Sequence, residues 1–279
     1  VFTLSVSHMI GLTLFMAVKV LVSILVVVLL SLIAERAGPR IAGIASGYPL
    51  GAAISLYFIA LENGNEVAAR SALFTAAGLA ATVAFVAGYL QGIRLAGNRR
   101  RLPSLAISIL TGIAAYGLTA WMLSFMPVNW VSAPLIAVMG MTLAARCFRH
   151  IPNEKIRERL RLGYAVAFVR AGFAAVVILA ITTVAGMVGP RWAGLFSAFP
   201  ITMLPLLVII QFTYQPEHVR TIIKNVPRGL GSLLVYAMVV AASYPGLGIA
   251  WGTILGYLAA TLYLILIEYG MRGKVAGRI

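Results

Sequence analysis

Residues 38–49 read GPRIAGIASGYP and residues 189–200 read GPRWAGLFSAFP. Seven of the twelve positions are identical: Gly38/Gly189, Pro39/Pro190, Arg40/Arg191, Ala42/Ala193, Gly43/Gly194, Ser46/Ser197 and Pro49/Pro200. Ile44/Leu195, Tyr48/Phe199 and Leu50/Ile201 are conservative pairs at the same spacing of 151 residues. Lys19 pairs with Arg170, and Glu66 with Glu217, at that spacing too. Low complexity does not place Gly, Pro, Arg and Ser in the same order twice, so the chain reads as an internal duplication.

The surroundings of the motif set the class of protein. The chain has 279 residues, 61% hydrophobic and 10% charged, with a mean hydropathy of +0.98. A soluble domain carries about a quarter charged residues, so a water-soluble fold is excluded. A bilayer core about 30 Å thick takes roughly 20 apolar residues per helix. Apolar runs between polar breaks predict an all-α polytopic membrane protein of nine helices. They fall at 10–34, 41–61, 68–93, 104–125, 131–147, 163–187, 192–213, 227–243 and 246–269. The predicted breaks are Gly38-Pro39, Asn63-Gly64, Gly97-Asn98, Pro127, Gly189-Pro190 and Pro245-Gly246, all turn-forming chemistry. The first run is longer than a signal peptide and lacks its basic start, so it reads as a first membrane helix.

With nine spans, alternate loops share a side. One side collects the basic residues of 36–40, 94–101, 146–161, 220–228 and 272–278, which are 18 of the 22. The other holds only Arg70 and Arg191, while Lys19 and Arg170 fall inside spans. By the positive-inside rule the N-terminus is outside and the C-terminus cytoplasmic. The net charge of +15 is thereby a topology signal with some contact to anionic lipid. A nucleic-acid partner is not expected.

Parity then inverts the duplication. The first motif follows helix 1 and the second follows helix 6, and an odd number of intervening spans turns the second copy over. The expected organisation is a four-helix repeat over 1–127, a linker helix with its basic cytoplasmic loop over 128–162, and an inverted four-helix repeat over 163–279. Inverted repeats of this kind build many secondary transporters.

Ile41-Ala42-Gly43, Tyr48-Pro49, Glu62-Asn63-Gly64-Asn65-Glu66 and Ala69-Arg70 together resemble the GlpM family of small bacterial inner-membrane proteins. The resemblance covers about 30–100 and, more weakly, 181–240. It implies two four-helix units fused through one helix, in a bacterial inner membrane. The second copy departs from the pattern, with Thr213, Tyr214 and Gln215 where the first has Glu-x-Gly.

The candidate residues come in pairs. Arg40 and Arg191 follow Gly-Pro at the mouths of two spans. Gly-Pro itself reads as a turn that starts a helix, and the arginines either snorkel to phosphates or meet a solute. Pro49 and Pro200 lie mid-span, where proline frees a carbonyl and interrupts the helix. In a bilayer that requires protein or a water-filled cavity to satisfy the backbone. Ser46 and Ser197 are placed to answer freed polar groups or to touch a substrate; a packed kink with serine bonded back to its own helix is equally open. Tyr48 and Phe199 lie at the same depth. Lys19 and Arg170 are intramembrane charges, costly and functional by default, although snorkelling reaches that depth. Glu62 qualifies as a coupling carboxylate only if buried. Glu66 and Glu217 read as first-turn acids that favour the helix dipole.

One cysteine, Cys147, and three scattered histidines give no disulfide, metal or catalytic set, so no enzyme, cofactor or metal is expected. The expected function is a secondary transporter of a small anionic solute or a phosphate-bearing lipid headgroup, since Lys19, Arg170, Arg40 and Arg191 are all positive. A passive channel or a non-transporting envelope scaffold are the alternatives. The bilayer is the expected partner; whether the chain forms a homodimer is not decided by the sequence.

Overall fold

The computed structural model describes residues 47–97, 100–152, 187–213 and 216–276, with a few single positions besides. Among these residues every regular element is a helix. In chain order they are α1 (Leu50–Asn63), α2 (Asn65–Ala96), α3 (Arg101–Ser124) and α4 (Ser132–Cys147), which ends in a 3₁₀ turn at Phe148–His150. A helical stretch over 187–197, here α5, is followed by α6 (Met203–Thr213) and α7 (Pro216–Ala276). α7 is a hairpin of two helices, because Gly248 leaves the helical region at φ 77° and ψ 176° and the second arm folds back on the first, with the Tyr236 and Tyr257 rings 5.1 Å apart.

Three stretches, Asn65–Ala96, Arg101–Ser124 and His218–Ile267, are long and apolar enough to cross a membrane. Nine helices are not reached among the described residues, and the expected spans 10–34 and 163–187 lie almost wholly outside them. The interruptions expected at Pro49 and Pro200, within 41–61 and 192–213, are present over 47–49 and 198–202. The expected Pro245-Gly246 turn is corrected, because the helix runs through both residues and breaks at Gly248 instead. The turn is made at Gly248, whose positive φ glycine reaches without a Cβ clash. The Asn63-Gly64 and Gly97-Asn98 breaks stand, with Gly64 at φ 90° and Gly97 at φ 55°.

α2 is the central element and packs against α1, α3, α4 and α7. Its ten alanines and its freedom from proline favour a long helix, and small side chains let neighbours come close. At 32 residues it is about 48 Å long, more than a bilayer core. Ala68, Ala72, Ala76 and Ala77 are fully buried, as are Leu79, Phe85 and Tyr89 farther along. The first arm of α7 is covered in the same way through Ile222, Ile223, Tyr236 and Tyr244.

The outside of the bundle is the reverse of a soluble surface. Leu110, Leu118, Trp121 and Met122 of α3 are exposed, with Leu135, Met139 and Leu143 of α4 and Trp251, Leu258, Leu262 and Leu266 of α7. The α7 set recurs at spacings of seven, four and four, one helical stripe. Apolar surface of this extent, facing outward, is suited to hydrocarbon rather than water.

Candidate functional site

The two motifs lead to two helix breaks built in the same way. In the first, the Leu50 N–H donates to Tyr48 O at 2.7 Å around Pro49, which has φ −74° and ψ 47°, an inverse γ-turn. In the second, the Ile201 N–H donates to Phe199 O at 2.7 Å around Pro200. Each proline carbonyl then accepts the first helical bond of the following half, from Ala53 at 3.0 Å and from Leu204 at 2.9 Å. The bonds correspond one to one at the 151-residue spacing.

Packing between the halves recurs at that spacing as well. A Cβ added to Gly78 would lie 2.7 Å from Ala198 Cβ, and one added to Gly47 would fall on the Gly229 backbone. Gly78 and Gly229 are 151 apart, and so are Gly47 and Ala198. Each long helix, α2 or the first arm of α7, thus lies against the break of the other half. Gly51 meets Ile201 between the breaks, with a Cβ added there 3.3 Å from the Ile201 side chain. A crevice of about 20 Å³ lies there, bordered by Tyr48, Gly51, Thr82, Ser197, Phe199 and Thr202, room for about one water molecule.

An interrupted helix leaves carbonyls that cost several kcal/mol each if left bare in hydrocarbon, and hydroxyls from across the bundle answer them. Around the second break Thr82 Oγ1 donates to Ala198 O at 2.6 Å; Thr75 Oγ1 lies 3.0 Å from Gly194 O and 2.9 Å from Ser71 O of its own helix, and Tyr116 Oη donates to Leu195 O. The Gly194 and Leu195 carbonyls are ones that the Ala198 N–H also reaches. Around the first, Ser232 Oγ lies 3.3 Å from Gly47 O and 2.7 Å from Gly229 O. Tyr48 Oη is 2.8 Å from Thr261 Oγ1, and its ring lies 6.0 Å from that of Tyr257. Phe199 sits edge-on to Tyr116 at 5.1 Å and to Phe85 at 6.2 Å. The second break is therefore the more polar. Ser71, Thr75 and Thr82 on α2 have Ile222, Val226 and Leu233 as counterparts on α7.

A larger cleft of about 640 Å³ opens where α2 starts and α5 approaches it. It is bordered by Glu66, Arg70, Phe74, Asn129, Trp130 and Arg191, with apolar residues between. The Arg191 guanidinium carbon lies 5.8 Å from the centre of the Phe74 ring, within cation–π range. α2 and α5 both run from this cleft to the second break; Arg70 to Thr82 is about 18 Å along the helix.

The structure brings Tyr48, Pro49, Ser197, Phe199 and Pro200 together at the crossing, and sets Arg191 apart in the cleft. Ser197 is buried and donates to Ala193 O at 2.8 Å, the back-bonded arrangement rather than a free hydroxyl. Glu62 is exposed at the end of α1, so the burial that a coupling carboxylate needs is absent. Glu66 lies in the first turn of α2, as its dipole role requires. Arg40, Ser46, Lys19 and Arg170 lie outside the described residues. Sequence reasoning passed over Thr75, Thr82, Tyr116 and Ser232. For Thr75 and Thr82 the signal was a face of small and hydroxyl residues on α2, Ser71, Thr75, Gly78 and Thr82, at spacings of four, three and four.

Comparison with models of protein families, with curated proteins and with solved structures found no match.

Proposed function

We propose that the chain is a membrane transporter made of two inverted four-helix units, moving a small anionic solute or a phosphate-bearing headgroup between its halves. One observation carries the reading: two proline-broken helices, related by the sequence repeat, meet inside the bundle. Paired broken helices are where inverted-repeat transporters hold their substrates. The half-helices α1 and α6 start at the crossing and direct their partial positive ends toward it, which favours an anion. A crevice with room for one water supports a pathway that opens by rocking of the halves over a standing pore. The basic loops toward the C-terminus support a cytoplasmic C-terminus in a bacterial inner membrane.

The test is solid-supported-membrane current and isotope uptake from proteoliposomes, screened over inorganic and organic anions and polyprenyl phosphate. The reading expects saturable flux of one anion class that falls in the Arg40→Gln/Arg191→Gln variant. Flux that never saturates would replace it with a passive channel. No flux of any kind from well-reconstituted protein would sink both, and a stable co-purifying partner would then favour a scaffold.

A further inference from the structure

Arg70 and Arg191 lie 121 residues apart in the chain, and the topology read from the basic loops assigns both to the side where arginine is disfavoured. The fold places both on one cleft of about 640 Å³, a size typical of small-molecule sites. Both are exposed, and neither is in an ion pair among the described residues. Glu66 is the one acid on the wall, and it also serves the α2 N-terminus, so the cleft carries an excess of positive charge. Its remaining wall is apolar and aromatic, with Phe74 beneath the Arg191 guanidinium and Trp130 on the opposite loop. Asn129 is committed to its own turn, its Oδ1 accepting from the N–H groups of Val131 at 2.9 Å and Ser132 at 2.8 Å. That turn holds Trp130 at the rim.

We infer that this cleft is a binding site for an anionic group attached to an apolar body, a phosphate or carboxylate taken by Arg70 and Arg191 with its apolar part against Phe74 and Trp130. Guanidinium groups suit such oxyanions because their N–H donors match the geometry. A bare inorganic ion would leave the aromatic wall unused. The inference deepens the transport reading, naming its outer capture site, but capture itself does not require transport. The anion comes either from solution or from the headgroup of a lipid.

Both sources are tested by the fluorescence of Trp130 in the Trp121→Phe/Trp192→Phe/Trp251→Phe background, with the protein in nanodiscs. One arm titrates phenyl phosphate into phosphatidylcholine discs. The other compares discs with and without phosphatidylglycerol. A saturable change with phenyl phosphate, weakened about tenfold in Arg70→Gln/Arg191→Gln, assigns a soluble anion. A change that follows phosphatidylglycerol and disappears in that variant assigns a lipid headgroup. Glu66→Gln is expected to tighten either response about threefold, since it removes the opposing charge. A Trp130 signal that is flat in both arms, or that is the same in the arginine variant and in Glu66→Gln, overturns the site. Binding without flux would fail the transport reading and leave this site standing; saturable flux with a Trp130 signal flat in both arms would do the reverse.

Discussion

Thr82 Oγ1 donates to Ala198 O at 2.6 Å, a bond from the middle of α2 to the first carbonyl of the second helix break. The same hydroxyl is 3.3 Å from Gly78 O in its own helix, so the interhelical bond is the shorter of its two. It answers a carbonyl that a continuous helix would pair with the Thr202 N–H, in surroundings where bare backbone is costly.

Replacement of this hydroxyl by a methyl group is expected to be felt. Interhelical hydrogen bonds in membranes average about 0.6 kcal/mol and reach about 1.7; with a buried carbonyl left bare, Thr82→Val is expected near the upper end. Thr82→Ser is expected to stay close to the parent protein. Equilibrium unfolding in mixed micelles reads both, and equal stabilities for the two variants would remove the bond from the account of the break.

The glycine contacts between the halves carry a larger expectation. A Cβ on Gly229 would fall on the Ile44 backbone, while one on Gly117 meets nothing within 4 Å. Gly229→Ala is expected to destabilise by about 1–3 kcal/mol through overpacking. Gly117→Ala, in the middle of α3, is expected to be neutral or to stabilise by about 0.5–1 kcal/mol. The same unfolding measurement gives both numbers.

Gly97 and Gly248, again 151 residues apart, hold positive φ of 55° and 77° with open space around each. Alanine there meets no neighbour and pays only for a positive-φ extended conformation that is essentially confined to glycine, about 1–3 kcal/mol. Gly97→Ala and Gly248→Ala are therefore expected to lose similar stability. A cost confined to one of them would show that the two turns do not play equivalent parts.

Topology is read at the two ends of α4. Val131 precedes this helix and Arg149 follows it, and both are exposed. In a Cys147→Ser background, Val131→Cys is expected to react with a membrane-impermeant maleimide added outside intact cells. Arg149→Cys is expected to react only after lysis. Labelling of both from outside would reject the orientation drawn from the basic loops.

How far the sequence reaches is clear at Pro49 and Pro200. A proline inside an apolar run announces an interruption, and both interruptions occur where the residues place them. Pro245 carries the same signal, yet its helix continues to Gly248. Proline fixes φ at every such site; the difference lies in ψ, which at Pro49 is 47° and at Pro245 stays helical, and which composition does not display. The cleft was legible only as two separate arginines on a side that discourages them. Nothing in the local sequence connects Arg70 to Arg191.

The sequence alone determined the apolar helical class, the duplication and the positions of the proline breaks, because these rest on hydropathy, repetition and the chemistry of single residues. The tertiary structure alone decided that the breaks meet and that α2 answers the second break through Thr75 and Thr82. It alone placed Arg70 and Arg191 on one cleft. Such contacts depend on which helix faces cross, and that is set by the close approach that Gly47, Gly78 and Gly229 allow, a property of two surfaces together.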